Sequence, residues 1–397
     1  MNGIINKRNY LLLLIAIFIA IFATPALAAP TVNLDGRQLA FEVPPAIEDG
    51  RTLVPLRAIF EAMGATVSWD QATQTASAVK DGTTVVLRIG STKPTINGKV
   101  KQLDVPAKIV NGRTLAPLRF VGEAFGGAVA WDGTTQTITI FSQEYSATLT
   151  KVHFIDVGQA DSIYIQLPNH NDILIDGGNV ADGPAVVDYL QGQGVDDIEL
   201  MVATHPHEDH IGGLSDVLNA FRIDEIIDSG KDASTKTYSI YAATAKAEGC
   251  TWLADNYQTF SYGKVTLQIL TGDQDWGDEV NDYSVVCRLD TGDVEFLFMG
   301  DAETPVEQAL TGNLEAEIVK VGHHGSSSSS SPEFLKQVSP KAAVICCGAG
   351  NTYGHPHQET LDNLGNIGAA VYRTDLNGNI VVATDGATFL INQFTYH

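Results

Sequence analysis

The chain has 397 residues, of which 24 are Lys or Arg and 47 are Asp or Glu. The charge is uneven: residues 29–150 hold 11 basic and 11 acidic residues, whereas 151–397 hold 11 basic against 36 acidic, a net of −25. A 44% hydrophobic content without a long charge-rich tract argues against intrinsic disorder, and a back half this acidic excludes a tight basic nucleic-acid clamp.

The first 28 residues read as a secretory signal peptide: Lys7 and Arg8, then the apolar run Leu11 to Ala23, then the small-residue site Ala26-Leu27-Ala28. The run is short for a membrane anchor, which needs about 20 residues. No other stretch is long and apolar enough to span. The expected mature protein is therefore secreted, extracellular or envelope-associated, with no membrane span. Four cysteines (Cys250, Cys287, Cys346, Cys347) are too few for a disulfide scaffold and read as small buried residues.

Residues 31–141 contain a duplication. Gly50-Arg-Thr-Leu-Val-Pro-Leu-Arg57 recurs as Gly112-Arg-Thr-Leu-Ala-Pro-Leu-Arg119, and Trp69-Asp70 recurs as Trp131-Asp132, at a constant offset of 62. Each unit reads as a short helix, such as Pro55 to Met63 ending at Gly64, followed by alternating strands. Two such units make one α+β domain. Its motifs resemble the copper amine oxidase N-terminal-like, or stalk, domain. Copper itself is not expected, because all ten histidines lie at position 153 or later and no Cys precedes 250. The resemblance implies an attachment or spacer module at the cell envelope, with an envelope polymer as the candidate partner, and a passive folding appendage is the equal alternative. Residues 142–150 read as a linker.

From Lys151 the pattern becomes short apolar strands alternating with helices. Strands are predicted at 152–157, 162–167, 172–176, 199–203, 265–270, 284–289, 294–299, 317–321 and 342–346, with a helix over 183–190. This is a layered α/β body over 151–397.

At the end of the 199–203 strand stands Thr204-His-Pro-His-Glu-Asp-His210. Imidazole and carboxylate at this spacing are ligands for zinc, manganese or iron. His205 and His207 suit one ion, and Asp209 and His210 a second about 3.5–4 Å away. Phe298-Met-Gly-Asp301 places a carboxylate beyond a strand, where an N-cap is the bland alternative. Val321-Gly-His-His-Gly-Ser326 and Gly354-His-Pro-His357 place four more histidines at element ends. His153, His170 and His397 read as surface residues.

His205-Pro-His-Glu-Asp-His210, Leu174-Ile-Asp-Gly-Gly178, Met299-Gly-Asp301 and the His-His-Gly-Ser segment resemble the metallo-β-lactamase fold. Phe154-Ile-Asp-Val-Gly-Gln-Ala-Asp-Ser162 and Tyr353-Gly-His-Pro-His357 narrow the likeness to the hydrolase domain of the ComEC competence proteins. The resemblance implies an αβ/βα sandwich and two divalent metal ions, zinc or manganese. It assigns His205 and His207 to the first ion, and Asp209, His210 and His323 to the second. Asp301 bridges them, and Asp176 props the ligand loop. Between His323 and His324 the motif alone does not decide. Asp156 and Asp161 are read equally as turn formers or site residues. One departure matters: a further His usual before the bridging Asp is absent, and Asn281-Asp-Tyr-Ser284 stands there instead.

Two such ions would acidify a water and polarise a phosphoryl or carbonyl oxygen. Asp209 or Asp301 would orient the water, and His324 or His355 would protonate the leaving group. Asn281, Ser326 and His357 are the expected substrate contacts, with Ser326 to Ser331 as a substrate-facing loop. The ComEC likeness implies a phosphodiester, in nucleic acid or in the envelope. A lactam or lactone hydrolase and a non-catalytic envelope-binding protein are the alternatives.

Overall fold

A computed structural model describes residues 29–393 apart from Asp49, Thr134 and Asp273. The signal peptide expected over 1–28 and His397 lie outside the described residues. Contacts divide the chain into two compact units, one built mainly on Gln38–Val121 and the other on the chain from Thr139 onward.

In the front unit the duplicated segments pair with each other. Strand Arg51–Pro55 runs antiparallel to its repeat Arg113–Pro117, with Leu53 opposite Pro117 and Pro55 opposite Leu115. Leu53 and Leu115 are buried in one cluster with Val43. Each strand runs directly into a short helix, Leu56–Ala62 or Leu118–Glu123. The first ends as read, with Gly64 at φ +86°. A five-stranded antiparallel meander covering 66–100 follows it.

The back unit is an αβ/βα sandwich. One eight-stranded sheet runs in the order Thr251–Ala254, Arg222–Asp228, Asp197–Ala203, Asp172–Ile175, Ile163–Gln166, Thr150–Phe154, Ile380–Thr384, Phe389–Gln393. A seven-stranded sheet faces it, with Cys287–Asp290, Glu295–Phe298, Ile318–Lys320 and Ala342–Ile345 at its centre. Strand periodicity explains the layering. Ile173, Ile175, Leu200 and Val202 point into the core between the sheets, where they join Cys287, Phe296, Phe298 and Cys346. Leu174, Met201 and Ala203 point the other way, under helices Gly183–Gln193, Leu214–Ala220 and Lys236–Glu248. Helices Thr304–Ala309, Pro332–Val338 and Gln358–Asn366 cover the outer face of the second sheet.

Each strand and the helix predicted from Lys151 onward falls on an observed element. The region read as a linker contains a helical turn, Gln143–Ser146, capped by Ser142 accepting from the Tyr145 N–H. The four cysteines are free, and Cys287, Cys346 and Cys347 are buried. Among the described residues no helix is long and apolar enough to cross a membrane.

His153 corrects the surface reading. It is buried in strand Thr150–Phe154, where its Nδ1 meets the Tyr189 hydroxyl at 2.8 Å and its Nε2 has no hydrogen-bond partner. Burial, with Lys151 adding to it, pushes this imidazole down to about 3. The unfolded chain therefore takes up a proton below about pH 6.5 that the folded chain refuses until about pH 3. Stability from this group is full above 6.5 and falls with acidification, by up to about 1.4 kcal/mol per pH unit. Urea titrations at pH 6.5 and 5 should show a loss about 2 kcal/mol larger for the wild type than for His153→Leu. Parallel losses would show that His153 is not the titrating group.

Candidate metal centre

The site lies beyond the carboxyl ends of parallel strands from both sheets. Asp197–Ala203 lies between parallel neighbours Asp172–Ile175 and Arg222–Asp228 and delivers the 204–210 loop. Glu295–Phe298, Ile318–Lys320 and Ala342–Ile345 are also mutually parallel, and the first two deliver Asp301 and His323-His324. The backbone there is tightly drawn. Gly300 has φ +55°, and a side chain on it would meet Ser284 and Thr204 at 3.0–3.1 Å. His323 and His324 both lie in the left-handed region, at φ +49° and +52°. Two successive non-glycine residues in that region are held there by their surroundings. Their rings diverge, with centroids 6.2 Å apart at 64°.

Asp209, His210, Asp301 and His324 form a compact group whose ligand atoms all lie within 4.8 Å of one another. His210 Nε2 stands 3.2 Å from Asp301 Oδ1, and His324 Nε2 stands 3.3 Å from Asp209 Oδ2 and 3.5 Å from Asp301 Oδ1. Donors around a tetrahedral ion at about 2.1 Å are spaced about 3.4 Å apart, so these separations fit one cation. His210 Nε2, His324 Nε2 and Asp301 Oδ1 are also buried without any hydrogen bond, a costly state for polar atoms unless an ion meets them. The donor set fits a divalent metal.

Supporting groups fix the imidazoles. His210 Nδ1 is 2.7 Å from Asp176 Oδ2, and the Thr204 N–H and hydroxyl donate to the same carboxylate at 2.8 and 2.7 Å. Asp176 thus props the ligand loop. His324 Nδ1 faces the Cys346 carbonyl at 3.0 Å and Asp161 Oδ1 at 3.3 Å. Asp161 and Lys320, 1% and 0% exposed, form a buried ion pair, and Lys320 Nζ also donates to the Gly300 carbonyl at 2.8 Å. Asp156 is a turn former, its carboxylate accepting from the Gly158 N–H at 3.3 Å.

Burial opposes the charged form of every group here, and at His324, His210 and Asp301 proximity overrides it. His324 is raised to about 10 because Asp301 and Asp161 outweigh its desolvation. His210 is raised for the same reason by Asp301 and Asp176, while Asp301 itself is held well below the usual carboxylate range by His210 and His324. His205 goes the other way, lowered by burial and by the neighbouring His210.

The other expected site residues are distributed unevenly. His207 is exposed, and its Nδ1 lies 3.0 Å from His205 Nε2, outside the compact group. His323 is also outside it. The proton-donor position expected for His324 is a place inside the ligand cluster. Asp301 is not an N-cap; Glu303 occupies that position of the following helix. Asn281 donates to Glu303 Oε1 at 3.3 Å, and its Oδ1 is buried and unpartnered. His355 borders the cluster, with its ring 5.5 Å from that of His323 and 6.5 Å from that of His324. Ser326 is buried, its Oγ 2.9 Å from Ser328 Oγ and its carbonyl accepting from Thr360. Ser329 and Ser330 are buried too, so most of the serine run packs as structure and only Ser327 is exposed. Ser331 caps the next helix, its side chain accepting from the Phe334 N–H. His357 braces loops, its Nδ1 accepting from the Ser327 N–H at 2.9 Å while its Nε2 faces the Tyr353 carbonyl at 3.2 Å. Lys320 was not read as a site residue, although a lysine inside an apolar strand is itself a signal.

Comparison with known proteins agrees with this architecture. Residues 155–349 match the Metallo-beta-lactamase superfamily, and residues 33–140 match the Copper amine oxidase N-terminal domain. ComE operon protein 3 of Bacillus subtilis (strain 168) is 28% identical over 251 residues, covering 58% of this chain and 32% of that protein. Recombination protein 2 of Haemophilus influenzae is 30% identical over 252 residues, covering 62% of this chain and 30% of that protein. The chain therefore spans about a third of the length of these relatives. Among solved structures, the metallo-β-lactamase fold protein YhfI of Bacillus subtilis is 12% identical with a TM-score of 0.41, covering 59% of this chain and 100% of that one.

Proposed function

Because the back domain belongs to the metallo-β-lactamase superfamily, a hydrolase superfamily, we propose that this chain is a phosphodiesterase acting outside the cytoplasm. The observation that carries the proposal is the convergence of Asp209, His210, Asp301 and His324, with buried donor atoms aimed at one another. Asp209, His210, Asp301 and His324 would hold one divalent ion, with His205 and His207 beside it. Bound there, such ions supply a nucleophile from water near neutral pH and neutralise charge on a phosphoryl group. The similarity to Recombination protein 2 and to Competence protein ComA of Neisseria gonorrhoeae, 31% identical over 229 residues, supports a nucleic-acid phosphodiester. The acidic back half favours a single strand or a small fragment over a tightly held duplex.

The chain's own residues set the protons. Gln159 Oε1 accepts from the Gly348 N–H at 3.0 Å, so its amide nitrogen is the group that faces His355 Nδ1 at 3.3 Å. That bond leaves the His355 proton on Nε2. Burial and the neighbouring imidazoles push His355 down to about 4, so it is neutral at pH 7 and serves as a fixed N–H donor toward a developing oxyanion. Asp209, one-third exposed beside buried partners, is positioned to orient water.

The purified mature chain should hydrolyse bis(p-nitrophenyl) phosphate and single-stranded DNA when supplied with zinc or manganese, and His207→Ala should lose about 10²-fold or more of that rate. The same assay on exported and cytoplasmic fractions locates the enzyme. Metal-loaded protein that cleaves neither substrate would sink the phosphodiesterase and turn attention to lactams and lactones.

A further inference from the structure

The two oxygens of Asp301 divide four histidines between them. Oδ1 faces His210 Nε2 at 3.2 Å and His324 Nε2 at 3.5 Å. Oδ2 faces His205 Nε2 at 3.9 Å and His323 Nε2 at 3.8 Å. Each oxygen thus meets one ring from the 204–210 loop and one from the tandem pair.

In all four rings the other nitrogen is already engaged. His210 Nδ1 meets Asp176, and His324 Nδ1 meets the Cys346 carbonyl. His323 Nδ1 lies 3.0 Å from Glu303 Oε1. Thr204 Oγ1 spends its proton on Asp176, so it accepts from His205 Nδ1 at 3.2 Å. Acceptors at Nδ1 keep one proton there, so a cation that displaces the other proton would meet a lone pair on each Nε2. Four such donor atoms converge on one carboxylate. Positive charge on either side of it resolves that arrangement, and about 3–4 Å is the spacing of donors sharing an ion at about 2.1 Å.

We propose that the tandem histidines are split between two ion positions, His324 serving the one with Asp209, His210 and Asp301 Oδ1, and His323 the one with His205, His207 and Asp301 Oδ2. This rests on the metallohydrolase reading and departs from the expectation that His323 shares an ion with Asp209 and His210. It also accounts for the missing ligand. The region where a further His is usual holds Asn281, whose Nδ2 lies 3.5 Å from His323 Nε2. His323 therefore reaches, from another strand, the corner where Asn281 stands in place of a further imidazole. The left-handed backbone at both positions is what turns two adjacent rings to opposite sides of one carboxylate.

Manganese bound at equilibrium, counted by dialysis and elemental analysis of the full chain, tests this without reference to any substrate. Two equivalents are expected for the wild type and one each for His323→Ala and His324→Ala. The double variants decide the split: His323→Ala/His207→Ala should keep one equivalent, whereas His323→Ala/His324→Ala should keep none. Asn281→His should return the second equivalent to His323→Ala. His323→Gln replaces His323→Ala throughout if circular dichroism shows the alanine variant unfolded. Two equivalents with unchanged affinity in the His323 variant, or one retained by His323→Ala/His324→Ala, would overturn the split. A wild type without metal overturns both the split and the metallohydrolase reading. Two equivalents without phosphodiesterase turnover uphold the split and sink only the substrate.

Discussion

Asp301→Asn should lower kcat/KM for bis(p-nitrophenyl) phosphate by at least about 10³-fold, a loss of roughly 4 kcal/mol of transition-state stabilisation. The carboxylate is the common neighbour of His205, His210, His323 and His324. An amide has nearly the same shape, but it is neutral and offers one carbonyl oxygen where the carboxylate offers two. The fold should survive, because the Asp301 backbone N–H donates to Ser284 Oγ at 2.9 Å independently of the side chain. Circular dichroism and thermal melting beside the kinetic assay separate the readings. An intact fold with lost turnover indicates a catalytic centre, whereas collapse of the fold indicates a site kept for stability. Activity within tenfold of wild type would remove Asp301 from the mechanism.

Most of the scaffold of this centre was legible because its signals are local. The strand ending at Ala203 closes on the apolar run Leu200 to Ala203, and the histidines and Asp209 follow it within seven residues. Asp301 and His323-His324 likewise follow directly on apolar strands. What escaped depends on contacts distant in sequence. The closing strand Ile380–Thr384 is placed by pairing with Thr150–Phe154, some 230 residues away, and Phe389–Gln393 pairs with it in turn. Strand Arg222–Asp228 carries charged residues at its exposed positions, which mask its buried Ile223, Ile226 and Ile227. The serine run read as a substrate loop because its composition is polar. Yet its hydroxyls bond inward, as with Ser329 to the Gly322 carbonyl at 2.7 Å. His153 was missed for the opposite reason, since nothing local says that a lone histidine in a strand faces the core. The choice between His323 and His324 turns on two backbone angles that no motif records.

Lys320 is the clearest residue of this second kind, and its replacement carries the largest expected cost in stability. Its ammonium is fully buried, paired with Asp161 and donating to the Gly300 carbonyl. Burial alone would drive the ammonium neutral, but Asp161 and Asp301 outweigh it and hold it charged. Lys320→Met keeps most of the volume and strips the buried Asp161 carboxylate of its ammonium partner, a change that costs about 3–5 kcal/mol. For a domain of this size the thermal midpoint should fall on the order of 10 °C. Asp161→Asn should cost a comparable amount. The double variant should cost clearly less than the two together, because neither charge is then stranded. Strict additivity would mean that the pair is not coupled. The site should suffer in proportion, since Lys320 ties the Gly300 carbonyl, one residue before Asp301, to Asp161, which also contacts His324. Manganese affinity should therefore weaken about 10–100-fold in Lys320→Met at temperatures where it remains folded, the range expected for groups that orient metal ligands. A stable variant with unchanged affinity would reduce the pair to an accident of packing. Weakened affinity in a folded variant would make it the brace that holds the Asp301 and His324 loops in register.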